Sequence, residues 1–227
     1  MCFSPEADAA SAIVIGAAAV DSLRSVRHRN ELPLASLPAL FAAHSAMSAF
    51  VWLGIEGAVP PSVRDAAAWM FMLVAFSVLP AWVPWAVWSI EPPSVQRRRI
   101  ALLALLGTVV CGVFFVRIVS GTAHASDGGN FIRYRVHASD NDVLAVAYVT
   151  ATCGAMLLSG DRILLIYGVV NAIAVALLAA LLAAGFASLW CFWAAITSIL
   201  IALYMRRRNA LTDMVATGPA SNPAIQH

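Results

Sequence analysis

Apolar residues fall into seven blocks along the chain, separated by short breaks that carry arginine, proline or glycine. The blocks cover about residues 7–24, 33–56, 66–90, 100–119, 142–159, 162–184 and 187–205. A helix of ~20 mostly apolar residues crosses the ~30 Å hydrocarbon core of a bilayer. The pattern therefore predicts an all-α polytopic membrane protein, a seven-transmembrane-helix bundle that forms one domain over residues 1–208. The first block is alanine-rich and flanked by Asp8 and Asp21, and its Ala12 and Gly16 stand in a small-xxx-small pair that favours close helix packing. In the third block, Pro80 and Pro84 predict kinks. The longest polar connection, residues 120–141, is the one loop with room for structure of its own. Residues 209–227 are polar, contain Pro219 and Pro223, and predict a disordered tail.

Composition supports that reading. Of 227 residues, 61% are apolar and 11% charged, and the mean hydropathy is +0.82. Soluble domains lie near 45–50% apolar and 25% charged, so a water-soluble enzyme, a disordered chain and a nucleic-acid-binding module are excluded. The net charge of +2 conceals an asymmetry, because all fourteen basic residues are arginines. Ten of them fall after the first, third, fifth and seventh blocks: Arg24, Arg27, Arg29, Arg97, Arg98, Arg99, Arg162, Arg206, Arg207 and Arg208. The other four, Arg64, Arg117, Arg133 and Arg135, belong to the opposite side. Arginine concentrates on the cytoplasmic side of membrane proteins, which predicts an outer N-terminus and a cytoplasmic C-terminus. No cleavable signal peptide is expected, since Glu6 and Asp8 occupy the place of a positive leader. Trp52, Trp69, Trp88 and Trp190 lie near block ends, where amphipathic rings anchor at the interface.

The absence of lysine excludes a retinal Schiff base and lysine nucleophiles. No HExxH, GxSxG or glycine-rich phosphate loop is present. Polar residues at membrane depth are the remaining candidates. At the midpoint of the second block, Phe41, His44, Ser45, Ser48 and Trp52 share a face by helical spacing. That face is expected to point into the bundle, with His44 as a proton carrier, metal ligand or general base, or as a neutral histidine bonded to a neighbouring helix. Asn171, at similar depth in the sixth block, is expected to hold helices together by hydrogen bonds. Arg117 is expected to snorkel outward or to pair with Glu56 or Asp142. Glu91 is expected to stop the third helix or to pair with the arginines that follow it. His124, Asp127, His137, Asp140 and Asp142 in the long loop match no metal-site spacing.

The opening Met1-Cys2-Phe3-Ser4, the phrases Glu31-Leu32-Pro33, Leu37-Pro38, Val51-Trp52-Leu53-Gly54 and Glu91-Pro92, and Ser188-Leu189-Trp190-Cys191 in the last block resemble a bacterial family of multi-pass membrane proteins. The resemblance follows all seven blocks in order and implies the same fold in the bacterial cytoplasmic membrane. It implies no activity. In the second block that family shows a Gln-Gln pair and a Glu where this chain has His44, Ser45 and Ser48, so a function resting on that Glu does not carry over.

Cys2 is expected at the outer end of the first helix and Cys191 about five residues into the seventh, roughly 7 Å below the same surface, so the two share the outer leaflet. They suit a disulfide, a copper or zinc ion held by two thiolates, or simple packing. The expected function is a binding or sensing protein whose small polar or metal site opens at the outer face, lined by Cys2, Glu56 and Cys191 with His44 beneath. Alternatives are an intramembrane enzyme using His44 or Cys2 and a subunit of a larger membrane complex. The expected partners are the lipid bilayer and other membrane proteins or a second copy of the chain.

Overall fold

The structure is a computed structural model that describes residues 4–121, 123–127, 132–136, 142–181 and 186–216, with side chains over 4–121, 143–177 and 193–210. Helix α1 spans Pro5–Arg24, where the Ser4 hydroxyl accepts from the Ala7 amide and Pro5 occupies the first turn. The second block forms α2, Leu32–Ala35, and α3, Leu37–Ile55. Ser36 stands at their junction, and its hydroxyl and the Trp82 indole both donate to the Pro33 carbonyl. α3 closes with the Ala58 amide on the Leu53 carbonyl and the Gly57 amide on the Gly54 carbonyl. That hydrogen-bonded closure requires the left-handed φ of 77° found at Gly57.

The third block is a broken helix: α4, Pro61–Met72, a π-helical stretch Leu73–Val78, and α5, Leu79–Ile90. The predicted disturbance at the prolines thus takes the form of a wider turn. Within it the Leu79 amide donates to the Val74 carbonyl. The next donor in that register is residue 80, a proline without N–H. The Ala75 carbonyl it would serve instead accepts from the Tyr148 hydroxyl at 2.9 Å.

Helix α6, Val95–Val119, starts on the Ser94 hydroxyl, ahead of the expected boundary. The long loop holds an antiparallel hairpin of β1, Ala123–Asp127, and β2, Ile132–Val136, so the all-α expectation has this one exception among the described residues. Helices α7, Asp142–Leu157, α8, Arg162–Leu181, and α9, Phe186–Ala216, follow. α9 runs through Arg206–Arg208 to Ala216, so the stretch expected to be a disordered tail from Asn209 begins as helix. The first strong helix breakers after the arginines are Gly218 and Pro219.

Among the described residues, three helical stretches are long and apolar enough to cross a membrane: Arg29–Ile55, Pro61–Ile90 and Val95–Val119. The expected seven do not all meet that measure. α1 carries Glu6, Asp8, Asp21 and Arg24 within its 20 residues. The apolar stretches Val143–Leu157 and Arg162–Leu177 are shorter. The outer surface is nonetheless apolar, with Leu102, Leu105, Val109 and Val116 of α6 all more than half exposed.

One buried cluster joins Ile15, Leu37, Val87, Ile100, Leu164 and Met205, and a second joins Val51, Trp52, Phe71, Val110 and Ile118. Trp52 is therefore a core residue, not an interfacial anchor. α1 lies along α3 and α9, and α5 lies along α6. The last contact is close enough that a Cβ on Gly107 would stand 1.9 Å from the Pro80 carbonyl oxygen. Polar links gather the connections after α1, α5 and α7 and the arginines of α9 at one end. The Ser89 hydroxyl donates to the Asn30 carbonyl, the Asn209 amide to the Ser25 carbonyl, and Arg206 pairs with Asp21. This is the arginine-rich end.

Candidate functional site

The polar face expected on α3 is present. His44, Ser45 and Ser48 are 2%, 1% and 1% exposed. The imidazole stacks on the Phe71 ring of α4, with centroids 3.8 Å apart and planes at 26°. α1, which packs along α3, turns Asp8, Ser11, Ile15, Ala19 and Ser22 inward at helical spacing. The expectation that His44 finds a hydrogen-bond partner is not met. Its Nε2, the Ser45 Oγ and the Ser48 Oγ are all buried with no partner among the described residues. A helical serine can quiet its hydroxyl on the carbonyl one turn back, as Ser198 does on Ala194 at 2.6 Å. Ser45 and Ser48 do not.

The other expected site residues do not join this face. Glu56 is exposed, in the turn that closes α3. It stands twelve residues beyond His44, about 18 Å along the helix axis. Cys2 and the side chain of Cys191 lie outside the described residues, as do the side chains of the long loop. Cys111 and Cys153 are free thiols, and no group of three His, Cys, Asp or Glu side chains able to hold a metal occurs among the described residues. Asn171 fulfils its expected role as a link between helices. Its Oδ1 accepts from the Trp193 indole at 2.6 Å, and its Nδ2 donates to the Cys153 sulfur at 3.6 Å. Asn171 and Trp193 border a small cavity of about 60 Å³ between α3, α5, α7, α8 and α9.

A second polar centre, at the arginine-rich end, was not anticipated. The Glu91 carboxylate is 6% exposed. It accepts from the Ser159 hydroxyl and the Gly160 amide, each at 2.9 Å. A Cβ at Gly160 would stand 2.8 Å from Glu91 Oε1, so glycine is what lets the carboxylate approach this turn. Glu91 does not pair with the arginines that follow it, and Arg97 lies instead over the Trp88 ring, 4.3 Å from its centroid. Asp161 caps α8 through the Ile163 amide at 2.8 Å and accepts from the Tyr204 hydroxyl, also at 2.8 Å. That hydroxyl in turn accepts from Arg208, whose Nε meets the buried Glu31 at 3.3 Å. The Glu31 carboxylate also takes the Arg27 and His28 amides. Nearby, the Asp21 carboxylate holds the Arg206 guanidinium still more firmly charged than usual. The readable signal for this centre was the small number of acids among the arginine-rich breaks, Asp21, Glu31, Glu91 and Asp161, each of which needs a partner.

No curated protein and no solved structure matches the chain. A family model does, over residues 1–216, and its description assigns no function. The chain belongs to this family of unknown function, DUF6629.

Proposed function

We propose that the protein is an integral membrane protein that crosses the bilayer seven times, N-terminus outside and arginine-rich end in the cytoplasm, and binds a small polar ligand at the His44–Ser45–Ser48 face. The connections after α1, α5 and α7 and the arginines of α9 meet at one end, which supports an odd number of crossings and the arginine-based orientation. α7 has 16 residues, about 24 Å of helix. A local thinning of the bilayer accommodates that length at modest cost.

The observation that carries the binding reading is the set of three buried polar atoms on one helix face that have no partner among the described residues. A buried donor or acceptor left unmade costs about 1–3 kcal/mol, and lipid supplies nothing to pair with it. A ligand with both donors and acceptors removes that cost at all three positions. The stacked Phe71 ring fixes the plane of the imidazole and therefore the direction in which Nε2 presents itself. A copper or zinc ion on Cys2 and Cys191 is the competing occupant of the outer half.

Native mass spectrometry with elemental analysis of the full chain, extracted gently from membranes, tests this reading. The expected result is a non-covalent adduct that His44→Phe abolishes and that contains no transition metal. A stoichiometric metal retained by His44→Phe would favour the thiolate site, and a chain with no adduct would overturn the proposal.

A further inference from the structure

The arginine-rich end carries a half-open cavity of about 340 Å³, within the size range of small-molecule sites. Glu91, Asp161, Tyr204 and Arg208 supply its polar wall, and Ile90 and Leu164 supply apolar wall. The acids of this end are not equally neutralised. Asp21 has Arg206, and Glu31 has Arg208. Asp161 is taken up by the first turn of α8 and by the Tyr204 hydroxyl. Glu91 is different. It is 6% exposed, lines the cavity and bonds only to neutral donors, with no cation at ion-pair distance among the described residues. A carboxylate offers about four lone-pair positions, and Ser159 and Gly160 use two.

A buried carboxylate without a counter-charge is costly, and here it faces open volume. We propose that this cavity binds the ammonium group of an aliphatic amine. The ammonium donates to the free lone pairs of Glu91 and reaches Asp161 as a second acceptor. Its methylene chain lies on Ile90 and Leu164. The guanidinium of Arg208 does not compete, because Glu31 and the Tyr204 hydroxyl hold it. The volume and the apolar wall favour an organic cation over a bare metal ion, which would fill little of the space. The same chemistry is offered by a free amine and by the ethanolamine headgroup of a phospholipid.

The test uses the full-length chain in detergent and in nanodiscs. Calorimetric titration with spermidine and with ethylamine reads the free-amine arm. Native mass spectrometry of nanodiscs containing equal phosphatidylethanolamine and phosphatidylcholine reads the lipid arm. Saturable binding of an amine, or selective retention of phosphatidylethanolamine, is expected. Glu91→Gln keeps the shape of the side chain and removes its charge, and it should weaken binding at least tenfold, which is about 1.4 kcal/mol. Pro92→Lys acts at an exposed rim position, so folding is spared, and its tethered ammonium should compete to the same extent. Glu6→Gln, on the first turn of α1, should bind as the parent does. Absence of saturable amine binding together with no phosphatidylethanolamine preference would overturn the proposal, as would undiminished binding by both Glu91→Gln and Pro92→Lys.

Discussion

Replacing His44 by phenylalanine separates an empty polar face from an occupied one by the sign of the stability change. The phenyl ring keeps the stack on Phe71, 3.8 Å away in the parent, and removes the unpartnered Nε2. With nothing bound, that atom costs the parent about 1–3 kcal/mol. His44→Phe should therefore be more stable than the parent by that amount once any ligand has been dialysed away. In the protein as isolated, a ligand present at a hundred times its dissociation constant adds about 2.7 kcal/mol to the parent alone. The advantage of the variant should then vanish or reverse. Reversible unfolding in mixed detergent micelles, followed by tryptophan fluorescence before and after exhaustive dialysis, measures both differences. Dialysis should lower the stability of the parent and leave the variant unchanged. A dialysed His44→Phe protein that is less stable than the dialysed parent by more than about 1 kcal/mol would refute the reasoning, because His44 would then have a partner.

Three further substitutions read the framework in the same unfolding assay. Tyr148→Phe removes the donor to the Ala75 carbonyl that Pro80 cannot serve, and it should cost about 1–3 kcal/mol. Gly107→Ala places a methyl 1.9 Å from the Pro80 carbonyl oxygen, a backbone atom that cannot rotate away. It should cost at least the 1–3 kcal/mol of an overpacked core, whereas Gly112→Ala, with open space at its Cβ, should be tolerated. Arg208→Ala leaves the 3%-exposed Glu31 with backbone donors only and should cost about 1.5–3 kcal/mol. Most of that loss should be recovered in the double variant with Glu31→Gln, since the buried charge is then gone too.

The helices were legible because each is an apolar run bounded by charged, proline or glycine breaks, and the shared face of Phe41, His44, Ser45, Ser48 and Trp52 follows from 3.6-residue spacing alone. Boundaries were less legible where a helix begins or ends in polar residues. α4 starts at Pro61, ahead of its apolar block, and α6 begins with its arginines inside its first turns. The break around Pro80 was visible, but its form as a π-helical turn needed the Tyr148 hydroxyl from a helix 73 positions away. Glu91 shows the limit most clearly. Its neighbours in sequence suggested Arg97–Arg99, whereas its real partners are 68 and 69 positions away in the α7–α8 turn. Charge counting finds which side of a bundle a residue occupies, but packing between distant helices decides whom it meets. Sequence also suggested a partner for His44, and its Nε2 has none among the described residues.

The threading of the chain underlies every placement above, and paired reporter fusions test it most directly. Fluorescent-protein activity marks a cytoplasmic junction, and alkaline phosphatase activity marks an external one. Seven crossings with an outer N-terminus predict fluorescence for fusions after residues 27, 94, 160 and 210, and phosphatase activity after residues 59, 130 and 184. Phosphatase activity at residue 94 or 210, or a pattern that changes side only across Arg29–Ile55, Pro61–Ile90 and Val95–Val119, would contradict the account.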